Sequence, residues 1–387
     1  MRIAKRVESL PPYLFAELDK RVAAKRAEGA DVISLGIGDP DLPTPAHVVE
    51  AAKQGVADAS THQYPSYYGM PEFRQAVSTW FAGRFGVALD PDTEVLPLLG
   101  SKEGLAHLAF AYLDPGDRAL VPDPGYPVYA TATALAGAEV TQLPLPADRG
   151  FLPDWDAAAA NTDASTKLAW LNFPTNPTAA VATEEDLATA VAFTSEHDLL
   201  LAHDAAYSEI TFDGYVAPSV LQVPGGREVA IEFHSLSKGY NMTGWRIGFA
   251  VGAAPAIKAL ATLKTNLDSG IFNAVQMAGI AALTGPQDHV AAMRDLYRKR
   301  RDLVIGTLNR LGWDLEPPLG SIYVWLPTPN GETSAEFADL LLDRAGVVVA
   351  PGLGYGSNGE GYVRISLTVG DARLSEAMDR IAEAVGR

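Results

Sequence analysis

Cysteine is absent from all 387 residues. That excludes disulfides, thiolate metal sites and a thiol nucleophile, and it accords with a reducing compartment. Positive charge is scarce as well: 30 lysines and arginines stand against 47 aspartates and glutamates, a formal net charge of -17. A nucleic-acid partner needs a basic face to meet phosphates, so no such partner is expected. The one dense basic run, Arg294, Arg298, Lys299, Arg300 and Arg301, lies inside a helical pattern and reads as a solvated or ion-paired helix face. No stretch of about 18 apolar residues occurs, so no membrane-spanning helix is expected. The opening MRIAKRVESLPPYLF has no apolar core of signal-peptide length, and the expectation is a cytoplasmic protein. No metal site is expected. A dinucleotide turn is missing too, because Gly36-Ile37-Gly38 lacks the third glycine and the following helix, which argues against a nicotinamide dehydrogenase.

What is present is core material: 48% of residues are hydrophobic and 20% charged. Short apolar runs alternate with longer helical patterns through the middle of the chain. The runs predict strands at Val95–Leu99, Ala119–Pro122, Glu139–Leu143, Leu168–Phe173, Leu199–His203, Ala230–His234 and Ile247–Val251. Helices are predicted at Pro71–Phe85, Lys102–Tyr112, Glu184–Glu196 and Pro255–Lys264, with Thr183 and Asp186 forming a capping-box start for the third. This alternation implies crossover units and an α/β fold with a mainly parallel sheet covered on both faces. After about residue 285 the pattern changes to a long helix, His289–Leu311, then strands at Ile322–Leu326, Val347–Ala350 and Tyr362–Ser366. A final helix places Leu374, Met378, Ile381 and Val385 on one face. The expected division is a large domain, 47–285, and a smaller α+β domain of 1–46 plus 286–387.

Six local patterns carry chemistry. In Ser235-Leu236-Ser237-Lys238, a lysine follows a buried strand, with Arg246 eight residues on. Burial lowers a lysine's proton affinity and makes it a nucleophilic amine, the form that a Schiff base with pyridoxal phosphate requires. Ser235, Ser237 and Arg246 are placed to hold a phosphate, the arginine by two parallel bonds. Taken alone, the motif also suits an ordinary surface lysine. Asp204 ends an apolar run, where a carboxylate is costly unless a cation such as a protonated pyridine nitrogen pairs with it; a helix N-cap is the plainer alternative. Such a pairing keeps the ring an electron sink. Tyr207, three residues on, is placed to donate to the ring oxygen, while His203 beside Asp204 faces away and reads as structural. Asn176 lies in the turn Asn172-Phe-Pro-Thr-Asn-Pro-Thr178, stiffened by two prolines. Gly100-Ser101-Lys102-Glu103-Gly104 opens a helix and offers backbone N–H groups to an anion. Tyr126 follows a strand end, where ligands of open α/β sheets gather. Arg364 sits mid-strand among apolar neighbours and calls for a carboxylate, from a substrate or from an internal acid.

In order and spacing together, these patterns resemble the class I/II aminotransferases, pyridoxal-phosphate enzymes of the aspartate aminotransferase fold (PLP fold type I). The resemblance runs from about Gly36 to the C-terminus. It implies that Lys238 is the Schiff-base lysine, that Asp204 pairs with the pyridine nitrogen and that Tyr207 and Asn176 contact the ring oxygen. It further implies that Tyr126 stacks on the ring, that Ser101, Lys102, Ser235, Ser237 and Arg246 surround the phosphate, and that Arg364 binds the α-carboxylate with the backbone of Gly38. Tyr64, in His62-Gln-Tyr-Pro-Ser-Tyr-Tyr-Gly69, matches a tyrosine that reaches the phosphate of the neighbouring subunit, so a homodimer with shared active sites is implied. The segments Pro12-Tyr13-Leu-Phe-Ala, Gly100–Gly104, Asp123-Pro-Gly-Tyr-Pro-Val-Tyr129, Tyr240–Arg246 and Lys264–Phe272 look like bacterial LL-diaminopimelate aminotransferases and their relatives. By that likeness Tyr13, Lys102 and Asn273 lie near the distal end of the substrate. The chain departs at Tyr67–Tyr68, where the diaminopimelate enzymes often carry a glutamate. The implied activity is ping-pong transamination between an amino acid and a 2-oxo acid. LL-diaminopimelate with 2-oxoglutarate is the leading pair. Aspartate-, alanine- or aromatic-type aminotransferases, or a C–S lyase on the same fold, are the alternatives.

Overall fold

The computed structural model describes residues 2–8, 10 and 14–386. Twelve strands occur among them. Seven form the central sheet: β2 (Val95–Leu98), β3 (Arg118–Asp123), β4 (Glu139–Pro144), β5 (Thr166–Asn172), β6 (Leu200–Asp204), β7 (Ala230–Ser235) and β8 (Gly248–Gly252). Their order is β2-β8-β7-β6-β5-β3-β4. Only β8 runs antiparallel, against both β2 and β7. β2 and β8 are buried along their whole length, as expected of strands covered on both faces.

The alternation of side chains across the sheet divides the core into two layers. Leu168, Trp170, Ala202, Ile231 and Phe233 pack with Leu105, Leu108, Tyr129 and Leu260 from the helices Ser101–Tyr112, Val128–Ala136 and Ala254–Leu267. Ala169, Leu171 and Leu201 face the other way, towards Phe73, Phe81, Leu187 and Val191 of the helices Pro71–Phe85 and Glu184–Glu196. Local signals set the ends of these helices. Pro71 occupies the first turn and Gly86, at φ 71°, closes the C-terminus in the left-handed conformation. Thr183 and Asp186 form the reciprocal capping box.

The remaining strands are β1 (Ile33–Ser34), β9 (Tyr323–Pro327), β10 (Val347–Val348), β11 (Ala350–Pro351) and β12 (Tyr362–Ser366). β11, β12 and β9 make an antiparallel sheet, whereas β10 pairs in parallel with β1. The single strand expected over Val347–Ala350 is therefore two. The apolar run is continuous, but its hydrogen-bond partner changes at Val349 from the N-terminal segment to β12, a switch that hydrophobicity does not record. The C-terminal helix, Asp371–Val385, buries Leu374, Met378 and Ile381, each contributing roughly 1.5–3 kcal/mol of transfer free energy.

The long helix spans Asp288–Arg310. Arg294, Arg298, Arg300 and Arg301 of its basic run are ion-paired, and the last two are buried rather than solvated. Arg300 makes bonds of 2.7 and 2.8 Å to the two oxygens of Asp41 and one of 2.7 Å to Asp371. Arg301 reaches Asp213 at 2.6 Å. Arg300 thereby ties the segment that follows β1 to the C-terminal helix. Among the described residues, no helix is long and apolar enough to cross a membrane.

Candidate active site

A cavity of about 410 Å³ opens at the C-terminal ends of the parallel strands, where open α/β sheets collect ligands. Twelve of the fifteen expected site residues line it: Gly38, Ser101, Lys102, Tyr126, Asn176, Asp204, Tyr207, Ser235, Ser237, Lys238, Arg246 and Arg364.

Lys238 is presented by one helical turn, Leu236–Gly239, directly after β7; Ser235 Oγ caps that turn by accepting from the Ser237 amide at 3.2 Å. Lys238 Nζ donates to the Gly38 carbonyl at 2.6 Å. Protein surrounds the amine closely, and this desolvation pulls its pKa below the ordinary lysine value, against the weaker opposing pull of Tyr323 and Asp39. The neutral, nucleophilic form is correspondingly favoured.

Asp204 closes β6 and is buried. Its main-chain oxygen accepts from Asn172 Nδ2 at 2.7 Å, which locks the ends of β5 and β6 together. Of its carboxylate oxygens, Oδ2 accepts from the Tyr129 hydroxyl at 2.8 Å and Oδ1 from the Ala206 amide at 3.3 Å. Burial raises its pKa, and the Tyr129 bond is the largest effect in the other direction. The neighbouring His203 points through to the opposite face, where its Nδ1 meets Glu232 at 3.0 Å.

An anion cradle occupies one side. Gly100, at φ 83°, precedes the helix Ser101–Tyr112, and a Cβ there would lie 2.4 Å from Arg246 Nη2. Both the backbone conformation and the guanidinium's approach therefore require glycine. Arg246 holds a left-handed backbone at φ 53° and donates through Nη1 to the Thr243 carbonyl at 2.8 Å. Strained positions of this kind concentrate at ligand clamps. Beneath the cradle, Glu103, His107 and Asp268 bring possible ligand atoms within 4.8 Å of one another. The buried Lys264 ammonium pairs with Asp268 at 2.7 Å and Glu103 at 3.4 Å, supplying the positive charge that these acids need.

On the other side Arg364 is almost wholly buried, 1% exposed. Its Nη1 donates to Asn176 Oδ1 at 2.6 Å and its Nη2 to the Gly36 carbonyl at 2.7 Å, both neutral acceptors. The Tyr323 ring lies 3.9 Å from the guanidinium carbon. Tyr323 was not among the expected residues: in Ser321-Ile-Tyr-Val-Trp it reads as a core aromatic of a strand. The structure shows it lining the cavity, with its hydroxyl 3.0 Å from that of Tyr207. It also fills the space a side chain at position 38 would take, 2.0 Å from a Cβ built on Gly38. The alternation of β9 was the available signal, since it sets Tyr323 and Trp325 on one face.

Three expected residues do not line the cavity. Tyr64 is 89% exposed. Asn273 begins the helix Asn273–Thr284 and accepts from Gln276 Nε2 at 3.2 Å. Tyr13 lies outside the described residues. Tyr67 and Tyr68 are also exposed, 46% and 55%.

The residues present fit pyridoxal phosphate. A desolvated amine, a buried carboxylate with only neutral donors on its oxygens, and a glycine-shaped cradle with an arginine against it match the aldehyde, ring nitrogen and phosphate of one molecule. Comparison with known proteins agrees. The profile of the family "Aminotransferase class I and II" matches residues 30–381. The chain is 57% identical to the LL-diaminopimelate aminotransferase of Desulforudis audaxviator, over 99% of this chain and 98% of that protein. It is 53% identical to the one from Moorella thermoacetica, over 100% and 99%. Among solved structures, apo-BacF from Bacillus subtilis superposes with a TM-score of 0.94 at 39% identity, covering 99% of this chain and 98% of that one. Thermus thermophilus aspartate aminotransferase with maleate gives 0.93 at 32%, covering 99% and 100%. The cavity, the fold and full-length matches of this extent converge: the chain belongs to the class I and II aminotransferases and is a pyridoxal-phosphate-dependent transaminase.

Proposed function

We propose that Lys238 is the covalent anchor and general base of this transaminase, Asp204 the counter-ion of the cofactor's ring nitrogen, and Arg364 the clamp on the α-carboxylate of amino and 2-oxo acid substrates. The observation that carries this reading is the convergence of those three groups on one cavity from β7, β6 and β12. Bound pyridoxal phosphate supplies the electron sink that makes a Cα proton removable. The chain supplies the rest. Burial of Lys238 favours its neutral amine, the form that would take the Cα proton. Ser101, Lys102, Ser235, Ser237 and Arg246 would hold the cofactor's phosphate, Tyr126 would lie against its ring, and Tyr207 and Asn176 would hold the ring oxygen. The Gly38 backbone and Arg364 orient the substrate. Residues 47–285 are the cofactor-binding domain in this reading, and 1–46 with 286–387 the smaller one.

For the substrate we propose LL-diaminopimelate, with 2-oxoglutarate as acceptor, a step of lysine biosynthesis. The relatives above support it, as does Lys102 in the cavity, a cation suited to a distal carboxylate. A cytoplasmic location goes with this reading, since both substrates are small free metabolites. The substitution at Tyr67–Tyr68 bears on it directly. A glutamate there offers an ammonium a charged acceptor, worth roughly 1.5–3 kcal/mol, against about 1 kcal/mol for a neutral hydroxyl. LL-Diaminopimelate should still give the highest kcat/KM in a panel with aspartate, glutamate, alanine and phenylalanine, and Tyr68→Glu should raise that value up to about tenfold. If a common amino acid wins by tenfold in the wild type, the diaminopimelate assignment falls and the transaminase remains.

We also propose a homodimer in which Tyr64 and Asn273 serve the partner's cavity. Their position outside their own cavity, with Tyr64 projecting into solvent, supports it. Mixed dimers of inactive Lys238→Ala chains with inactive Tyr64→Phe/Asn273→Ala chains should regain activity, because one cavity of each mixed pair then has every residue intact. A fully active monomer in micromolar sedimentation would overturn this.

A further inference from the structure

Tyr129 is fully buried, yet its hydroxyl is spent on one atom, Oδ2 of Asp204, at 2.8 Å. Strand alternation explains the meeting. Asp204 shares the sheet face of Trp170 and Ala202, and the helix Val128–Ala136 covers that face. The Tyr129 ring stacks on Trp170, centroids 5.3 Å apart and planes 20° apart, so the phenol has little freedom to turn away. It also makes an edge-to-face contact with the ring of Tyr126, centroids 5.9 Å apart, and Tyr126 lines the cavity. The segment entering this helix therefore places the Tyr126 ring against the cavity, and the first turn of the helix, three residues later, places a hydroxyl on the Asp204 carboxylate.

We propose that Tyr129 is a positioning residue of the transaminase: its hydroxyl fixes the direction of the Asp204 carboxylate and, being a neutral donor, leaves the full negative charge for the cationic ring nitrogen. A charged donor in its place would already neutralise the acid. Burial raises the phenol's pKa well above its ordinary value, with the Asp204 charge adding to the effect, which favours the hydroxyl as donor in this bond. Without this bond Asp204 would lose the largest of the effects that support it as an anion, and the ring nitrogen would be protonated less completely. The proposal rests on the role assigned to Asp204 above.

The test uses holoenzyme loaded with pyridoxal phosphate carrying ¹⁵N in the ring. The ring ¹⁵N resonance reports protonation directly, which a merely structural tyrosine would not affect. In wild type it should lie in the protonated range; in Asp204→Asn it should move to the unprotonated range. In Tyr129→Phe it should move part of the way, with kcat down about tenfold and donor KM within twofold. If Asp204→Asn leaves the resonance in place, the Asp204 assignment fails. If Asp204→Asn moves it but Tyr129→Phe does not, the Tyr129 proposal alone is overturned. Should Tyr129→Phe not fold, 3-fluorotyrosine at position 129 keeps shape and donor. Its ¹⁹F signal should shift when the apoenzyme takes up pyridoxal phosphate, and an unmoved signal would equally overturn the proposal.

Discussion

Lys238→Ala should lose roughly a thousandfold or more in kcat, because anchor and general base disappear together and base catalysis alone is worth about 10²–10⁴. The phosphate cradle is built from other residues: Gly100 and Ser101 at a helix start, and Arg246 on its left-handed turn. The variant should therefore still bind pyridoxal phosphate, but noncovalently. In the cofactor-free chain, among the described residues, the amine makes one hydrogen bond, to the Gly38 carbonyl, so its removal should cost the fold about 1 kcal/mol. Wild-type protein should be yellow, and borohydride reduction followed by peptide mapping should place the cofactor on the peptide containing Lys238. Label on Lys102 or any other lysine would refute the assignment.

Asp204→Ala should produce the second-largest effect, a fall in kcat well beyond tenfold with a smaller change in KM. The pairing between carboxylate and ring nitrogen matters most when negative charge flows into the ring, so its loss raises the barrier more than it weakens substrate binding. Retention of more than a tenth of wild-type kcat, a barrier rise under about 1.4 kcal/mol, would show that Asp204 lacks this role. The truncation also strands the buried Tyr129 hydroxyl, at about 1–3 kcal/mol of stability. Turnover should accordingly be expressed per folded molecule, from a thermal melt run alongside.

Much of the architecture was legible because the central strands are buried on both faces. β5 and β6 appear as mostly apolar runs, and β5, β6 and β7 each end on a polar residue where the cavity begins: Asn172, Asp204 and Ser235. Helices with strong end signals, such as Pro71–Phe85 and Glu184–Glu196, were equally plain. Others were not. The helices Val128–Ala136 and Asn273–Thr284 are rich in alanine and lack a polar stripe to mark their period. Tyr323 and Tyr129 are hidden in the sequence for a different reason. An aromatic residue within an apolar segment looks the same in sequence whether its hydroxyl meets a functional partner or packs in the core.

By itself, then, the sequence determined which residue types stand at the strand ends, because short-range alternation and apolar run length dictate where a buried strand stops and which side chains share a face. It also determined the absence of disulfides and the acidic balance, which are composition. Only the tertiary structure decided which helix covers the face of Asp204, and so that a neutral phenol meets this carboxylate. It likewise decided that β8 runs against its neighbours, that the run at Val347 divides between two sheets, and that Arg364 sits over Tyr323 with Asn176 and Gly36 as acceptors. Each is a contact between segments distant in sequence. Such contacts are chosen by how whole layers pack, and no local pattern encodes the partner.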